Sequence, residues 1–258
     1  MKRHILRCKT CKKDISVTAG TIFQDLRKPL TVMFQAMWYV VCQKQGVSAL
    51  GIQSILGLGS YRTAWSWLHK FRTAMVRPGR DKLSGTVEVD ETLVGGSQSG
   101  KRGRGAEGKE LVLVAVEDHG KKGMGRIRLK TIPNASGSSL EEAVAELVEL
   151  GSIIRTDGWK GYSKLEKRGY THLIIPHQES EPGDDPTPLV HRVASLLKRW
   201  LLGTHQGGQQ FSHLHYYLDE FTFRFNRRKS TSRGLLFLRL TQQALEVKPA
   251  PIATLIAV

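Results

Sequence analysis

The chain has 258 residues, 40% hydrophobic and 24% charged, which is the balance of a globular protein with one sizeable domain and one or two small ones. No apolar run approaches the roughly 18 residues that cross a bilayer, and three cysteines are too few for a disulfide framework, so we expect a cytoplasmic protein with no membrane partner. Residues 1–80 hold 14 Lys or Arg against two acids, and so carry +12 of the net charge of +16. This excess favours a nucleic-acid partner, with a basic surface that serves only solubility as the alternative.

The chain starts with a pair of cysteines in a basic context. Cys8 and Cys11 form a CxxC motif, which is half of a four-ligand zinc site. No second pair of ligands precedes them, and Cys42 falls in an apolar helical stretch. We therefore interpret residues 1–28 as a partial zinc-ribbon-like segment, and we do not expect zinc at Cys8 and Cys11.

Residues 29–78 have the apolar periodicity of three helices. The first follows Pro29, Ser48 can cap the second, and Ser60 can cap the third. This order is typical of a helix-turn-helix DNA-binding domain, although a plain three-helix module gives the same pattern. The apolar face of the third helix would be Ala64, Trp67, Leu68, Phe71 and Met75. Its opposite face carries the side chains expected to contact DNA, which are Arg62, Thr63, Ser66 and Lys70.

The periodicity then changes from that of a helix to that of a strand. Five strands are predicted, with an amphipathic helix between the third and fourth and a basic, Gly-rich loop at 97–110: residues 87–92, 111–117, 126–132, 152–156 and 173–175. This order predicts an α/β fold, an RNase H-like mixed sheet flanked by helices, in which the first and fourth strands are neighbours. We expect residues 83–230 to form this domain and residues 231–258 to form a C-terminal tail.

Two aspartates lie where those neighbouring strands would bring them together. Asp90 is on the polar face of the first strand, and Asp157 follows the carboxyl end of the fourth. Two facing carboxylates repel each other unless a cation lies between them, and their oxygens suit Mg²⁺ or Mn²⁺. Taken singly, each aspartate is equally well explained as a solvated strand-end residue.

A third metal ligand is expected from the helix predicted over residues 190–202. His191 lies near its start, and Lys198 follows two turns later on the same face, where an ammonium group could meet a phosphate. A lone histidine on a helix is otherwise usually structural or exposed. Glu88 and Glu91, which flank Asp90, are the alternative third ligands.

Several segments resemble the motifs of the ISXO-like insertion-sequence transposases, a branch of the DDE superfamily. They are GTIFQDLRKPL (20–30), VEVDETLVGG (87–96), IIRTDGWKGY (153–162), HRVASLLKRWLLGTHQG (191–207) and LDEFTFRFNRR (218–228). The resemblance implies that Asp90 and Asp157 are the first two catalytic acids and that Lys198 is the motif lysine. His191 stands where a Glu or an Asn-containing pattern is usual, but some members of this group use a His there. We therefore interpret the catalytic set as Asp90, Asp157, His191 and Lys198, with the first three as metal ligands.

The resemblance also implies an activity and its partners. Such an enzyme cleaves DNA phosphodiesters at element ends and joins the 3′-hydroxyl to target DNA with two Mg²⁺ or Mn²⁺ ions. It would act in the cytoplasm, at the nucleoid, as a homodimer on the terminal inverted repeats and target DNA. The residues expected to contact the DNA backbone, with a plain basic solvent face as the alternative, are Lys198, Arg199, Arg224, Arg227 and Arg228. An RNase H-like nuclease or resolvase, or a DNA-binding remnant with an inactive core, is the alternative function.

Overall fold

The computed structural model describes residues 5–77, 79–95, 108–175, 185–206 and 211–256. The chain divides into two compact units. Residues 79–228 form one unit, and residues 1–78 form the other together with residues 229–258. The basic loop predicted at 97–110 falls almost wholly outside the described residues. Within the described ranges, no helix is both long and apolar enough to pass through a bilayer.

The smaller unit begins with a hairpin that carries the CxxC motif in its turn. Strands β1 (Ile5–Arg7) and β2 (Asp14–Ser16) pair in antiparallel register. The backbone N–H of Cys8 donates to the carbonyl of Lys13, which closes the turn. Across the described ranges, no third His, Cys, Asp or Glu side chain joins the two cysteines to complete a metal site. The zinc-ribbon interpretation of residues 1–28 therefore stays a prediction.

Three helices follow the hairpin, at the positions predicted from the sequence: α1 (Leu30–Cys42), α2 (Ala49–Ile55) and α3 (Tyr61–Ala74). The hydroxyl of Ser48 accepts the N–H of Gly51 at 3.1 Å and so caps α2. Ser60 precedes α3 without such a bond. The predicted apolar face of α3 is buried, at Ala64, Trp67, Leu68, Phe71 and Met75. Their packing does not test DNA binding, so the helix-turn-helix function of these helices stays a prediction.

The expected C-terminal tail contains helices α7 (Arg233–Glu246) and α8 (Ile252–Ile256). Helix α7 packs against α1 and α3, with Leu236 and Leu240 buried. Their spacing of four places both side chains on one helical face. The backbone N–H of Ile22 also donates to the carbonyl of Ala244 at 3.4 Å. This segment therefore packs as part of the helical unit.

The larger unit is built on one five-stranded sheet. Its strands are β3 (Thr86–Gly95), β4 (Lys109–Asp118), β5 (Met124–Ile132), β6 (Ile153–Thr156) and β7 (Thr171–Ile174). Their order is β5-β4-β3-β6-β7. The first three strands pair antiparallel, while β6 is parallel to both β3 and β7. This is the mixed sheet that the sequence predicted, with the first and fourth predicted strands as neighbours.

Helices cover both faces of the sheet. Helix α4 (Gly137–Leu147) packs on one face with Val87 and Val89. Helices α5 (Pro188–His205) and α6 (Leu214–Asn226) pack on the other face with Val112 and Val114. Because side chains alternate along a strand, Val87 and Val89 of β3 face α4, while the acidic residues at 88 and 90 face α5.

Candidate active site

The two predicted aspartates come together at the centre of the sheet. Strands β3 and β6 are parallel, with Glu88 opposite Arg155. Continuing this register by two residues brings Asp90 opposite Asp157, which directly follows β6. Asp90 is buried, with 8% of its surface exposed. Asp157 is half-buried, and its Oδ1 accepts the backbone N–H of Trp159 at 3.0 Å.

The environment of Asp90 disfavours its negative charge. Burial is the main cause that raises the pKa of Asp90, to about 6, and the charges of Glu91 and Asp157 add to the rise. Hydrogen bonds from the backbone N–H of Glu91 at 2.7 Å and from Thr187 oppose it. A buried carboxyl that faces a second carboxyl is stabilised in its ionised form by a nearby cation.

A ring nitrogen of His191 lies close to the same carboxyl. Its Nε2 lies 3.4 Å from Oδ2 of Asp90, while its Nδ1 lies 2.6 Å from Oδ2 of Asp185. The ring is about half exposed. The structure thus places the predicted third ligand beside the first, and it adds Asp185, which the sequence analysis did not single out.

The start of α5 is fastened to β3 by two hydrogen bonds. The hydroxyl of Thr187 donates to Oδ2 of Asp90 at 3.1 Å, and the backbone N–H of Val190 donates to Oε1 of Glu88 at 2.9 Å. Thr187 is fully buried and directly precedes Pro188, the first residue of the helix. A threonine before a proline is a recognisable helix start. Nothing in the sequence, however, signals its contact with Asp90.

The two alternative ligands are engaged in other contacts. Glu88 is fully buried between the N–H of Val190 and the guanidinium of Arg155, and burial raises its pKa. Glu91 accepts the hydroxyl of Tyr162 at 2.7 Å. Tyr162 belongs to the core on the α4 face, so this carboxylate is directed away from α5.

The predicted lysine lies further along α5. Lys198 is two helical turns beyond His191 and remains exposed. Partial burial lowers the pKa of Lys198, and the positive charge of Lys109 lowers it further. The neighbouring Arg199 is also exposed. Both cations therefore lie on a solvent-accessible stretch of the helix that carries His191.

The arginines near the end of α6 are occupied within the protein. Arg224 pairs with the buried Glu220 at 2.7 Å, and only 11% of the Arg224 side chain is exposed. The guanidinium of Arg227 lies 4.1 Å from the Phe223 ring centre. Arg228 lies over the ring of Phe225 and donates to the carbonyl of Gly125. The expectation that this cluster contacts DNA stays a prediction, and the ion pair of Arg224 with a buried carboxylate favours a structural role for that arginine.

The predicted reading face of α3 is only partly exposed. Arg62 is exposed, while Thr63 and Lys70 are half-buried. Ser66 is buried, and its hydroxyl donates to the carbonyl of Thr63 at 2.9 Å. DNA contact by Ser66 stays a prediction, which its burial and the bond of its hydroxyl to its own helix disfavour.

The donor set suits a divalent ion, although the described residues contain no group of three His, Cys, Asp or Glu side chains already gathered around one point. The 3.4 Å between Nε2 of His191 and Oδ2 of Asp90 is long for a hydrogen bond. A carboxylate oxygen and an imidazole nitrogen this close to each other could both bind one divalent ion. A carboxylate with a neutral imidazole accommodates Mn²⁺ well, and two carboxylates accommodate Mg²⁺.

The five-stranded mixed sheet, with helices on both of its faces, is the RNase H-like arrangement expected from the sequence. The family model described as "ISXO2-like transposase domain" matches residues 82–226, more than half of the chain, and the protein belongs to this family. No curated protein matches the chain. Among solved structures, the catalytic core domain of BIV integrase is 15% identical, with a TM-score of 0.35 over 62% of this chain and 97% of that chain. The family assignment rests on the match to residues 82–226.

Proposed function

We propose that the protein is an insertion-sequence transposase that cleaves DNA at the ends of its element and joins the freed 3′-hydroxyl to target DNA. The observation that carries this proposal is the buried carboxyl of Asp90, whose raised pKa of about 6 reflects burial and the facing Asp157, with His191 at 3.4 Å. Buried carboxylates gathered at one point of a sheet are costly to folding, and such clusters mark functional sites. Membership of the transposase family supports the same activity.

Asp90, Asp157 and His191 would hold the Mg²⁺ or Mn²⁺ ions. When bound, two such ions activate the attacking water or 3′-hydroxyl and stabilise the leaving oxygen. The protein's own groups do the rest of the positioning. Thr187 holds Oδ2 of Asp90, the N–H of Trp159 holds Asp157, and both carboxylates are thus fixed before DNA arrives.

Basic residues outside the acid cluster would bind the DNA backbone. Lys198 and Arg199 are exposed on α5, the helix that carries His191, and ammonium and guanidinium groups bind phosphate oxygens. In the helical unit, Arg62 is the exposed member of the predicted reading face. We further propose that a homodimer acts on two element ends at the nucleoid, in the cytoplasm, since transposases generally pair two ends.

A strand-transfer assay tests the proposal. The full chain is incubated with Mg²⁺ or Mn²⁺, a DNA fragment carrying the element ends and a target plasmid. We expect nicked ends and covalently joined products. Asp90→Asn and Asp157→Asn should each lose both products, because each removes a metal-binding charge. Glu142→Gln is the matched control, since Glu142 is exposed on α4 and its neutralisation should leave both products unchanged.

The alternatives give different products in the same assay. Nicking without any joined product would indicate that the protein is an RNase H-like nuclease or resolvase rather than a transposase. Sequence-specific DNA binding with no cleavage in either metal would mean an inactive remnant. Equal activity in the parent and Asp157→Asn would show that the pair of aspartates takes no part in catalysis.

A further inference from the structure

The ring of His191 lies between two carboxylates. Its Nδ1 is 2.6 Å from Oδ2 of Asp185, and its Nε2 is 3.4 Å from Oδ2 of Asp90. The first distance is that of a strong, charge-assisted hydrogen bond, whereas the second is long for one. The two nitrogens therefore have different tasks.

The chemistry of the short contact fixes the ring's tautomer. An ionised carboxylate only accepts hydrogen bonds, so Nδ1 of His191 must be the donor to Asp185. A neutral imidazole with its proton on Nδ1 presents a lone pair at Nε2. That lone pair is the atom on the Asp90 side, where a metal ligand is needed.

Asp185 is itself held in place by the residue that holds Asp90. Its Oδ1 accepts the backbone N–H of Thr187 at 3.0 Å, and the hydroxyl of the same Thr187 donates to Oδ2 of Asp90 at 3.1 Å. Thr187 is fully buried. One buried residue thus sets the positions of the carboxylates on both sides of the histidine.

We propose that Asp185 is a positioning residue that holds His191 as the Nδ1–H tautomer, with Nε2 turned to Asp90 as a ligand for the divalent ion. The proposal rests on the proposed function, because the ion is the one that transposition would use. It adds a residue outside the predicted catalytic set. Carboxylates that hold ligating histidines in this manner change metal affinity by about 10–100-fold when they are removed.

Asp185→Asn is the sharpest variant because it keeps the shape and reverses the tautomer. The N–H of Thr187 requires an acceptor, so the amide oxygen takes that side and the amide NH₂ faces His191. An NH₂ group donates, so Nδ1 must become the acceptor and the proton moves to Nε2. A ring protonated at Nε2 offers no lone pair to an ion beside Asp90.

The tautomer can be read directly by ¹⁵N NMR of the full chain labelled at histidine, at pH 8 with EDTA. His191→Ala assigns the signals among the nine histidines. We expect a protonated Nδ1 and an unprotonated Nε2 in the parent and in the Glu142→Gln control, and the reverse in Asp185→Asn. A parent ring with its proton on Nε2, or a tautomer that Asp185→Asn leaves unchanged, would overturn the proposal.

Metal affinity provides a second measurement, from titration of Mn²⁺ followed by electron paramagnetic resonance. Asp185→Asn should weaken Mn²⁺ binding about 10–100-fold. In a His191→Ala background the same substitution should have no further effect, since a residue that acts through the ring has nothing left to position. Full additivity of the two losses would make Asp185 an independent ligand and contradict the positioning role.

These measurements separate the inference from the proposed function. Neither the tautomer nor Mn²⁺ affinity depends on DNA cleavage. A parent with the expected tautomer and Mn²⁺ affinity that joins no DNA would refute the transposase proposal alone. A parent that joins DNA while Asp185→Asn retains its tautomer and metal affinity would refute the positioning role alone.

Discussion

The hydroxyl of Thr187 lies 3.1 Å from Oδ2 of Asp90, although 97 positions separate the two residues in the chain. This bond joins the first turn of α5 to the middle of β3. It holds the carboxylate at one oxygen, while the backbone N–H of Glu91 holds the other at 2.7 Å. The geometry of the acid cluster therefore depends on where α5 begins.

Thr187→Val removes this hydroxyl with little change of shape. The Thr187 hydrogen bond lowers the pKa of Asp90, so its loss should raise that pKa above the present value of about 6. A ¹³C NMR titration of the Asp90 carboxyl in EDTA measures the change. We also expect a loss of about 1 kcal/mol in the free energy of unfolding.

Thr187→Ser is the control for this experiment, because serine keeps the hydroxyl and removes only a methyl group. It should leave the pKa of Asp90 close to that of the parent. If Thr187→Val and Thr187→Ser titrate alike, the hydrogen bond does not influence the carboxylate.

The ionisation of Asp90 gives a second prediction, on stability. Its pKa rises from the ordinary 3.8 to about 6 on folding, mainly through burial, so folding favours the protonated form. The stability that this group contributes is complete below about pH 4 and is lost as pH rises through about 6. The Asn side chain of Asp90→Asn cannot ionise, so this site adds no pH dependence to the stability of the variant. In EDTA, we expect the variant to gain about 2 kcal/mol over the parent between pH 4 and pH 7.

Denaturant unfolding of both proteins across this pH range measures the difference. The matched control is Glu142→Gln, which neutralises an exposed carboxylate and should follow the parent at every pH. A difference between Asp90→Asn and the parent that stays constant from pH 4 to pH 7 would show that burial does not oppose ionisation at this site.

Most of the fold could be predicted from periodicity. The alternation of Val87 and Val89 with the acidic residues between them identified β3, and the stripe on α3 identified its buried face. The acid pair followed from the predicted adjacency of two strands, because register alone brings Asp157 opposite Asp90. These features depend on local pattern and strand order, both of which are visible in the sequence.

The remaining features depend on contacts between distant segments. Asp185 precedes α5 by only a few residues, but the sequence does not show that its carboxylate contacts the ring of His191. Ser66 looks exposed on a helical wheel, and its burial results from the packing around α3. Helix α7 was missed because its apolar residues are recognisable as a buried face only once α1 and α3 are in place.

A third prediction separates structural arginines from DNA-binding ones. Arg224→Gln removes the guanidinium that pairs at 2.7 Å with Glu220, a carboxylate that is only 1% exposed. We expect a loss of about 3 kcal/mol in the free energy of unfolding. Arg199→Gln neutralises an exposed side chain on α5 and should change stability by less than about 0.5 kcal/mol.

DNA binding should show the opposite order. Arg199→Gln should weaken binding of the full chain to DNA, while Arg224→Gln, measured well below its unfolding temperature, should bind as the parent does. Fluorescence anisotropy with a labelled duplex measures both. Weaker DNA binding by folded Arg224→Gln would show that Arg224 contributes to the DNA interface.

The last prediction concerns sequence reading by α3. Arg62 and Lys44 are both exposed cations of the helical unit, but only Arg62 lies on the predicted reading face. A side chain that contacts base edges contributes to discrimination, whereas one that contacts phosphate contributes equally to every sequence. Arg62→Ala in the full chain should therefore reduce the preference for an element end over random DNA by about 1–3 kcal/mol. Lys44→Ala, the matched control, should weaken both complexes equally and reduce the slope of log affinity against log salt by about 1.

Anisotropy titrations of both duplexes at several KCl concentrations measure these quantities, with circular dichroism to confirm that each variant is folded. Equal loss of affinity for both duplexes in Arg62→Ala would show that α3 binds DNA through charge alone.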